Sequence, residues 1–172
     1  MVKSNHWKSK INKFDTTTQK RAIAKTDVLK FTTEVQPIGK QQYMELSKDI
    51  FVFSYLCGGI NFTDIANLTK ENIQNGRLHY IRQKTKKLIK IGIPQEAMQI
   101  IEKYSKESKG YLFPILDSHI HRTALQKQNR IHKILGKVNK NLKLLAADLG
   151  VEANLTTYVA RHSIFLFLLK NK

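Results

Sequence analysis

Apolar residues recur every three or four positions over much of the chain, a pattern typical of helices packed on a common core. The first such stretch, residues 40–56, predicts a helix with one buried stripe, formed by Tyr43, Leu46, Ile50 and Phe53. Gly58 and Gly59 are predicted to end this helix, because glycine readily adopts the left-handed conformation found after helix ends. A short helix should follow, capped by the side chain of Asn61 or Thr63.

Residues 77–93 depart from the helical pattern. Apolar and polar positions alternate around Leu78 and Tyr80, and apolar residues return between Leu88 and Ile93. The six residues between these two runs, 82–87, are all polar. This arrangement predicts an antiparallel β-hairpin with a basic turn.

Three further helices are predicted after the hairpin. The first covers residues 95–104, with Pro94 suited to its first turn. The second covers about 122–147, and its buried stripe contains Ile131, Ile134, Leu135, Val138, Leu142 and Leu145. The third begins near residue 156 or 157 and runs to the end of the chain. The predicted fold class is therefore mainly α with a small antiparallel β-sheet, an α+β fold.

The composition is strongly basic. Thirty Lys and Arg face thirteen Asp and Glu, which gives a formal net charge of +17. Such an excess is usually balanced by a polyanion, and we expect nucleic acid more than a membrane surface. No apolar stretch is long enough to span a membrane, and the single cysteine, Cys57, indicates a reducing compartment. We therefore expect a cytoplasmic protein with no membrane partner.

The hairpin is the first candidate site. Residues 76–93 contain six cations and no acid. Clustered cations on an exposed hairpin can lie along DNA phosphates or enter a groove, although an ordinary solvated turn would have the same composition. The residues we expect to contact DNA in this way are Arg77, Arg82, Lys86 and Lys87.

The second candidate is the start of the last helix, residues 156–163. Tyr158 and Arg161 are three positions apart and share a helix face. The backbone N–H groups at a helix start favour anions, and a guanidinium can bind a phosphate through two hydrogen bonds. The alternative is a capped helix start with one exposed arginine.

Together, these segments resemble the catalytic domain of tyrosine recombinases, and most closely the integrases of the Bacteroidetes type. The similarity runs from about Arg21 to the last residue and is carried by residues 59–68, 80–85, 139–143 and 156–163. It implies a partial tyrosine-recombinase catalytic core, spanning residues 21–172, with residues 1–20 as a linker or remnant of a core-binding domain.

The resemblance also implies roles for five residues. Lys84 matches the hairpin lysine that protonates the leaving 5′ oxygen, and Arg161 matches an arginine that binds the scissile phosphate. Asp64 matches an acidic residue that supports the site by hydrogen bonding. Tyr158 stands where the family usually has a histidine, and can still donate a hydrogen bond. His162 follows the arginine, as it often does in these proteins, and is placed with the catalytic residues.

The implied activity is site-specific DNA recombination or integration, as in mobile elements. A tyrosine hydroxyl attacks a phosphodiester of double-stranded DNA and forms a 3′-phosphotyrosyl link, with no metal and no cofactor. The intact protein would act as a homo-oligomer on DNA. The alternative is a non-catalytic DNA-binding module that uses the same basic surface.

The sequence departs from the family pattern at two places. Asn61 occupies the position of the family's first arginine, and Lys70 or Arg82 are the possible replacements. None of the six tyrosines occupies the position of the nucleophile, so we expect the chain to lack the C-terminal segment that carries it and to be inactive alone.

Overall fold

A computed structural model of the chain describes residues 23, 25–33, 43–106, 109–151 and 154–170, with only the backbone described for 25, 29, 32, 33 and 165–170. This part of the chain contains six α-helices: α1 (Lys25–Thr33), α2 (Met44–Leu56), α3 (Phe62–Ala66), α4 (Gln95–Tyr104), α5 (Ala124–Asp148) and α6 (Thr157–Lys170). Three strands, β1 (Ile73–Gln74), β2 (Arg77–Ile81) and β3 (Leu88–Gly92), form an antiparallel sheet in that order. The predicted fold class is confirmed.

Helix α2 lies at the centre of the fold and contacts α4, α5 and α6. The prediction of a single buried stripe was too narrow, because α2 also buries Phe51 and Val52, and even the polar Ser47. Its buried carboxylate, Asp49, is paired with Lys103 of α4 at 2.6 Å. A helix that is covered on several sides cannot keep a polar face. The start of the predicted helix, residues 40–42, lies outside the described residues.

The turn between α2 and α3 is built from two glycines with positive φ, 68° at Gly58 and 78° at Gly59. The buried Ser54 hydroxyl donates to the carbonyl of Ile60 at 2.7 Å and thereby fixes the path of the turn. Asn61 is the N-cap of α3, because its Oδ1 accepts a hydrogen bond from the Thr63 N–H at 2.9 Å. The predicted end of α2 and the predicted cap of α3 are both confirmed.

The hairpin has the predicted position, with Arg77 opposite Gly92 and Ile81 opposite Leu88. The first strand of the sheet, β1, was not predicted. It is joined to β2 by Asn75 and Gly76, whose φ angles are 50° and 70°. A two-residue loop with two positive φ angles matches the twist of a β-hairpin, and Asn-Gly is its preferred sequence.

Helix α5 begins at a capping box, in which the Thr123 hydroxyl accepts from the Gln126 N–H at 3.2 Å. Its predicted stripe faces the core, and all of the stripe is buried except the partly buried Leu135. Among the described helices, none combines the length and apolarity needed to cross a bilayer.

Candidate functional site

A cavity of about 600 Å³ opens between α3, the hairpin turn and the start of α6. It is lined by Asn61, Thr63, Asp64, Arg82, Gln83, Lys84, Tyr158 and Arg161. Three segments that are distant in the sequence thus bring three cations and one carboxylate to the same concavity. We call it the cationic cavity.

Four of the five residues predicted to be catalytic, Asp64, Lys84, Tyr158 and Arg161, line the cationic cavity. The fifth, His162, is not among the lining residues, and its ring packs edge-on against Tyr158 with 4.3 Å between ring centroids. The structure therefore brings together one residue of α3, one of the hairpin turn and two of α6.

The four predicted DNA contacts are divided between different places. Arg82 lines the cationic cavity, whereas Lys86 and Lys87 are exposed in the hairpin turn outside its lining. Arg77 is exposed at the opposite end of β2, where it pairs with Gly92. Lys70, one possible replacement for the missing arginine, is exposed and is not part of the lining.

Asp64 connects α3 to the hairpin turn. Its side chain is only 5 % exposed, and Oδ1 accepts a hydrogen bond from the backbone N–H of Gln83 at 2.8 Å. Because Gln83 immediately precedes Lys84, this bond sets where the turn lies relative to the cavity. Asp64 thus acts on the position of the lysine through the backbone.

The hairpin turn is closed by two backbone hydrogen bonds. The Arg82 N–H donates to the carbonyl of Lys87 at 2.9 Å, and the Lys86 N–H donates to the carbonyl of Arg82 at 2.8 Å. Lys86 has a φ of 55°, which reverses the chain direction. Lys84 lies exposed between these bonds and reaches the cavity from the turn.

Arg161 is half-buried on α6, and two contacts fix the position of this helix. At its start, the Thr157 N–H donates to Oδ1 of Asn139 on α5 at 3.0 Å. One turn later, the backbone of Gly59 packs so closely that a Cβ added there would lie 3.0 Å from Cα of Arg161. The helix that carries the arginine is therefore held from two directions.

The charges of the cavity act on Tyr80, which is buried on β2. Burial is the main cause that raises the pKa of the Tyr80 hydroxyl, the Asp64 carboxylate adds to the rise and Arg82 and Arg161 oppose it, and the resulting pKa is about 12. Within the described residues, neither guanidinium makes a side-chain hydrogen bond or ion pair, and the same holds for the amine of Lys84. These three donors are free to bind an anion.

Several contributing residues were not predicted from the sequence. Thr63 and Gln83 line the cavity, and Gly59 and Asn139 position the helix that carries Arg161. Asn139 lies in one of the segments that carry the family resemblance, and this could have marked it as a residue of interest. Nothing in the sequence indicated its contact with Thr157.

No protein-family model and no curated protein matches the chain. Among solved structures, the crystal structure of XerA recombinase is similar, with a TM-score of 0.55 and 12% sequence identity. The similarity covers 87% of this chain and 51% of that one, so this chain spans about half the length of the solved protein. At this level of identity the similarity concerns the fold, and the chain has a tyrosine recombinase-like α+β fold.

Proposed function

We propose that the cationic cavity binds one phosphodiester of double-stranded DNA, as the catalytic core of a tyrosine recombinase acting in site-specific recombination or integration. The observation that carries the proposal is the cavity itself, in which Arg82, Lys84 and Arg161 meet a single carboxylate. A concave site with excess positive charge attracts a phosphate, and donors fixed in advance stabilise the charge that develops during phosphoryl transfer.

Four of the lining residues then have a role. Arg161 offers two parallel N–H donors to the non-bridging oxygens of the phosphate. Lys84, exposed on the turn, donates a proton to the leaving 5′ oxygen. Tyr158 donates a hydrogen bond to the same phosphate, and Asp64 positions the turn through Gln83.

The attacking tyrosine of the proposed reaction is not one of the six tyrosines of this chain. All six tyrosines of the chain lie in the described residues, and of these only Tyr158 lines the cavity. The resemblance assigns Tyr158 to hydrogen bonding, so the proposed reaction requires a nucleophile that is not among these six tyrosines. In the complete reaction the attacking tyrosine releases its hydroxyl proton to solvent and its oxygen bonds to phosphorus, while the bond to the 5′ oxygen breaks and Lys84 supplies the proton to that oxygen.

Binding to a pool of random-sequence duplexes tests the role of the cavity in DNA binding. We expect Arg161→Gln and Lys84→Gln to weaken binding about tenfold or more, because a charged hydrogen bond to phosphate is lost. The matched control is Lys106→Gln, which removes an exposed charge beyond the end of α4 and should have little effect. If all three variants lose affinity equally, binding is a diffuse charge effect and the cavity has no special role.

A covalent-adduct assay tests the reaction and separates it from DNA binding alone. Labelled DNA is incubated with the chain, and protein–DNA adducts are separated on a denaturing gel. We expect no adduct with these 172 residues, and an adduct with a longer protein that supplies the tyrosine. An adduct mapped to Tyr158 would show that its role is misassigned. Binding by a longer protein without any adduct would favour the non-catalytic module.

A further inference from the structure

We infer that Arg82 is a second direct ligand of the phosphate, binding the same anion as Arg161 from the hairpin side of the cationic cavity. The inference rests on the proposed function and deepens it. Both arginines line the cavity, and they belong to different elements, the hairpin turn and α6. Two planar forks approaching from two sides can contact both non-bridging oxygens of one phosphodiester.

The backbone of Arg82 is fixed by two hydrogen bonds of the turn. Its N–H and its carbonyl are both used, in the hydrogen bonds with Lys87 and Lys86 that close the turn. The residue itself is half-buried, whereas Gln83 and Lys84 beside it are exposed. A side chain that leaves a fixed backbone at the base of a turn is prepared in advance to bind, which lowers the entropy lost on binding.

The position of Arg82 is also marked by its effect on a buried neighbour. Arg82 and Arg161 both oppose the rise in the pKa of the Tyr80 hydroxyl. Both guanidiniums are therefore close enough to act on this one group, which is consistent with their lining the same cavity. Arg77, at the far end of β2, has no such effect among the causes of the shift.

The other candidate residues cannot supply the second positive charge that binds the phosphate beside Arg161. Asn61 is neutral, and its Oδ1 is already used to cap α3. Lys70 is exposed outside the lining. Lys84 supplies a single ammonium and is assigned to the leaving oxygen in the proposed reaction. Among the described lining residues, this leaves Arg82 as the one further guanidinium beside Arg161.

NMR of the arginine side-chain N–H groups, with inorganic phosphate as the probe at low ionic strength, tests the inference. We expect the Nε–H signals of Arg82 and Arg161 to shift together and to give the same dissociation constant. Arg82→Gln should weaken phosphate binding at Arg161 about tenfold or more, because one charged fork is lost. Arg82→Lys keeps the charge without the fork, so its affinity for phosphate should lie between the affinities of the unaltered chain and of Arg82→Gln.

The control is Lys106→Gln, which removes one exposed charge beyond the end of α4 and outside the cavity lining. It should leave phosphate binding nearly unchanged, and thermal unfolding checks that every variant is folded. If Arg161 responds to phosphate but Arg82→Gln behaves like Lys106→Gln, the inference is wrong and the proposed function stands. If the Arg161 signal does not respond in the unaltered chain, the phosphate site is wrong, and with it the proposed function.

Discussion

The backbone of Gly59 lies against Arg161 so closely that a Cβ added at Gly59 would be 2.9 Å from Cγ of the arginine. The φ of Gly59 is 78°, a conformation that other residues adopt only with strain. The turn after α2 thus sets how near α6, and with it the cavity arginine, can approach the core. The contact between Gly59 and Arg161 therefore links the packing of the turn to the position of a residue in the candidate site.

Replacing Gly59 by alanine should therefore displace Arg161. We expect a loss of unfolding free energy of about 1 kcal/mol from backbone strain and a further 1–3 kcal/mol from overpacking. Gly58→Ala is the matched control, because Gly58 also has a positive φ but open space around the added Cβ. Chemical denaturation and phosphate binding should both separate the two variants. Equal losses in both would mean that the contact with Arg161 has no effect.

The sequence predicted the elements well where a local signal exists. The hairpin was recognised from alternation, and the end of α2 from Gly58 and Gly59. The strand β1 was missed because two residues, Ile73 and Gln74, are too short to show alternation, although the Asn-Gly pair that follows was a usable signal.

For the site, the sequence predicted which residues take part but not the contacts between them. The bond between Asp64 and Gln83 joins residues that are 19 positions apart, and no periodicity reveals such a contact. The same is true of Arg82, because the sequence does not distinguish it from the other positively charged residues of the turn. Only the fold separates the arginine that lines the cavity from the lysines that do not.

Asp64 should control the position of the hairpin turn. Asp64→Ala removes the acceptor of the Gln83 N–H, and we expect a loss of about 1.5–3 kcal/mol of unfolding free energy, because a hydrogen bond to a charged group is lost. Hydrogen exchange of the Gln83 amide should become faster. Asp64→Asn keeps an oxygen acceptor and should retain most of the protection. An unchanged exchange rate in the alanine variant would contradict this role.

Asn139 should stabilise the start of α6. Its Oδ1 accepts from the Thr157 N–H, which would otherwise be unsatisfied at the helix terminus. We expect Asn139→Ala to cost about 1 kcal/mol, the usual effect of losing a helix cap. Asn139→Asp keeps the acceptor and adds a favourable charge at the helix N-terminus, so it should be at least as stable as the original. Thermal unfolding of the three proteins measures both effects, and equal melting temperatures would exclude the capping role.

Tyr80 should make the fold sensitive to alkaline pH. Burial first, and the Asp64 carboxylate second, raise the pKa of its hydroxyl from 10.0 to about 12 in the folded state. Above the unfolded pKa the unfolded chain loses this proton while the folded one keeps it, so stability falls as the pH rises from 10.0 to about 12. Tyr80→Phe removes this loss, which amounts to roughly 2 kcal/mol at the upper end. Urea unfolding should show similar stability of the two proteins at neutral pH and an advantage for the phenylalanine variant that grows through this window, whereas parallel curves would mean that Tyr80 titrates normally.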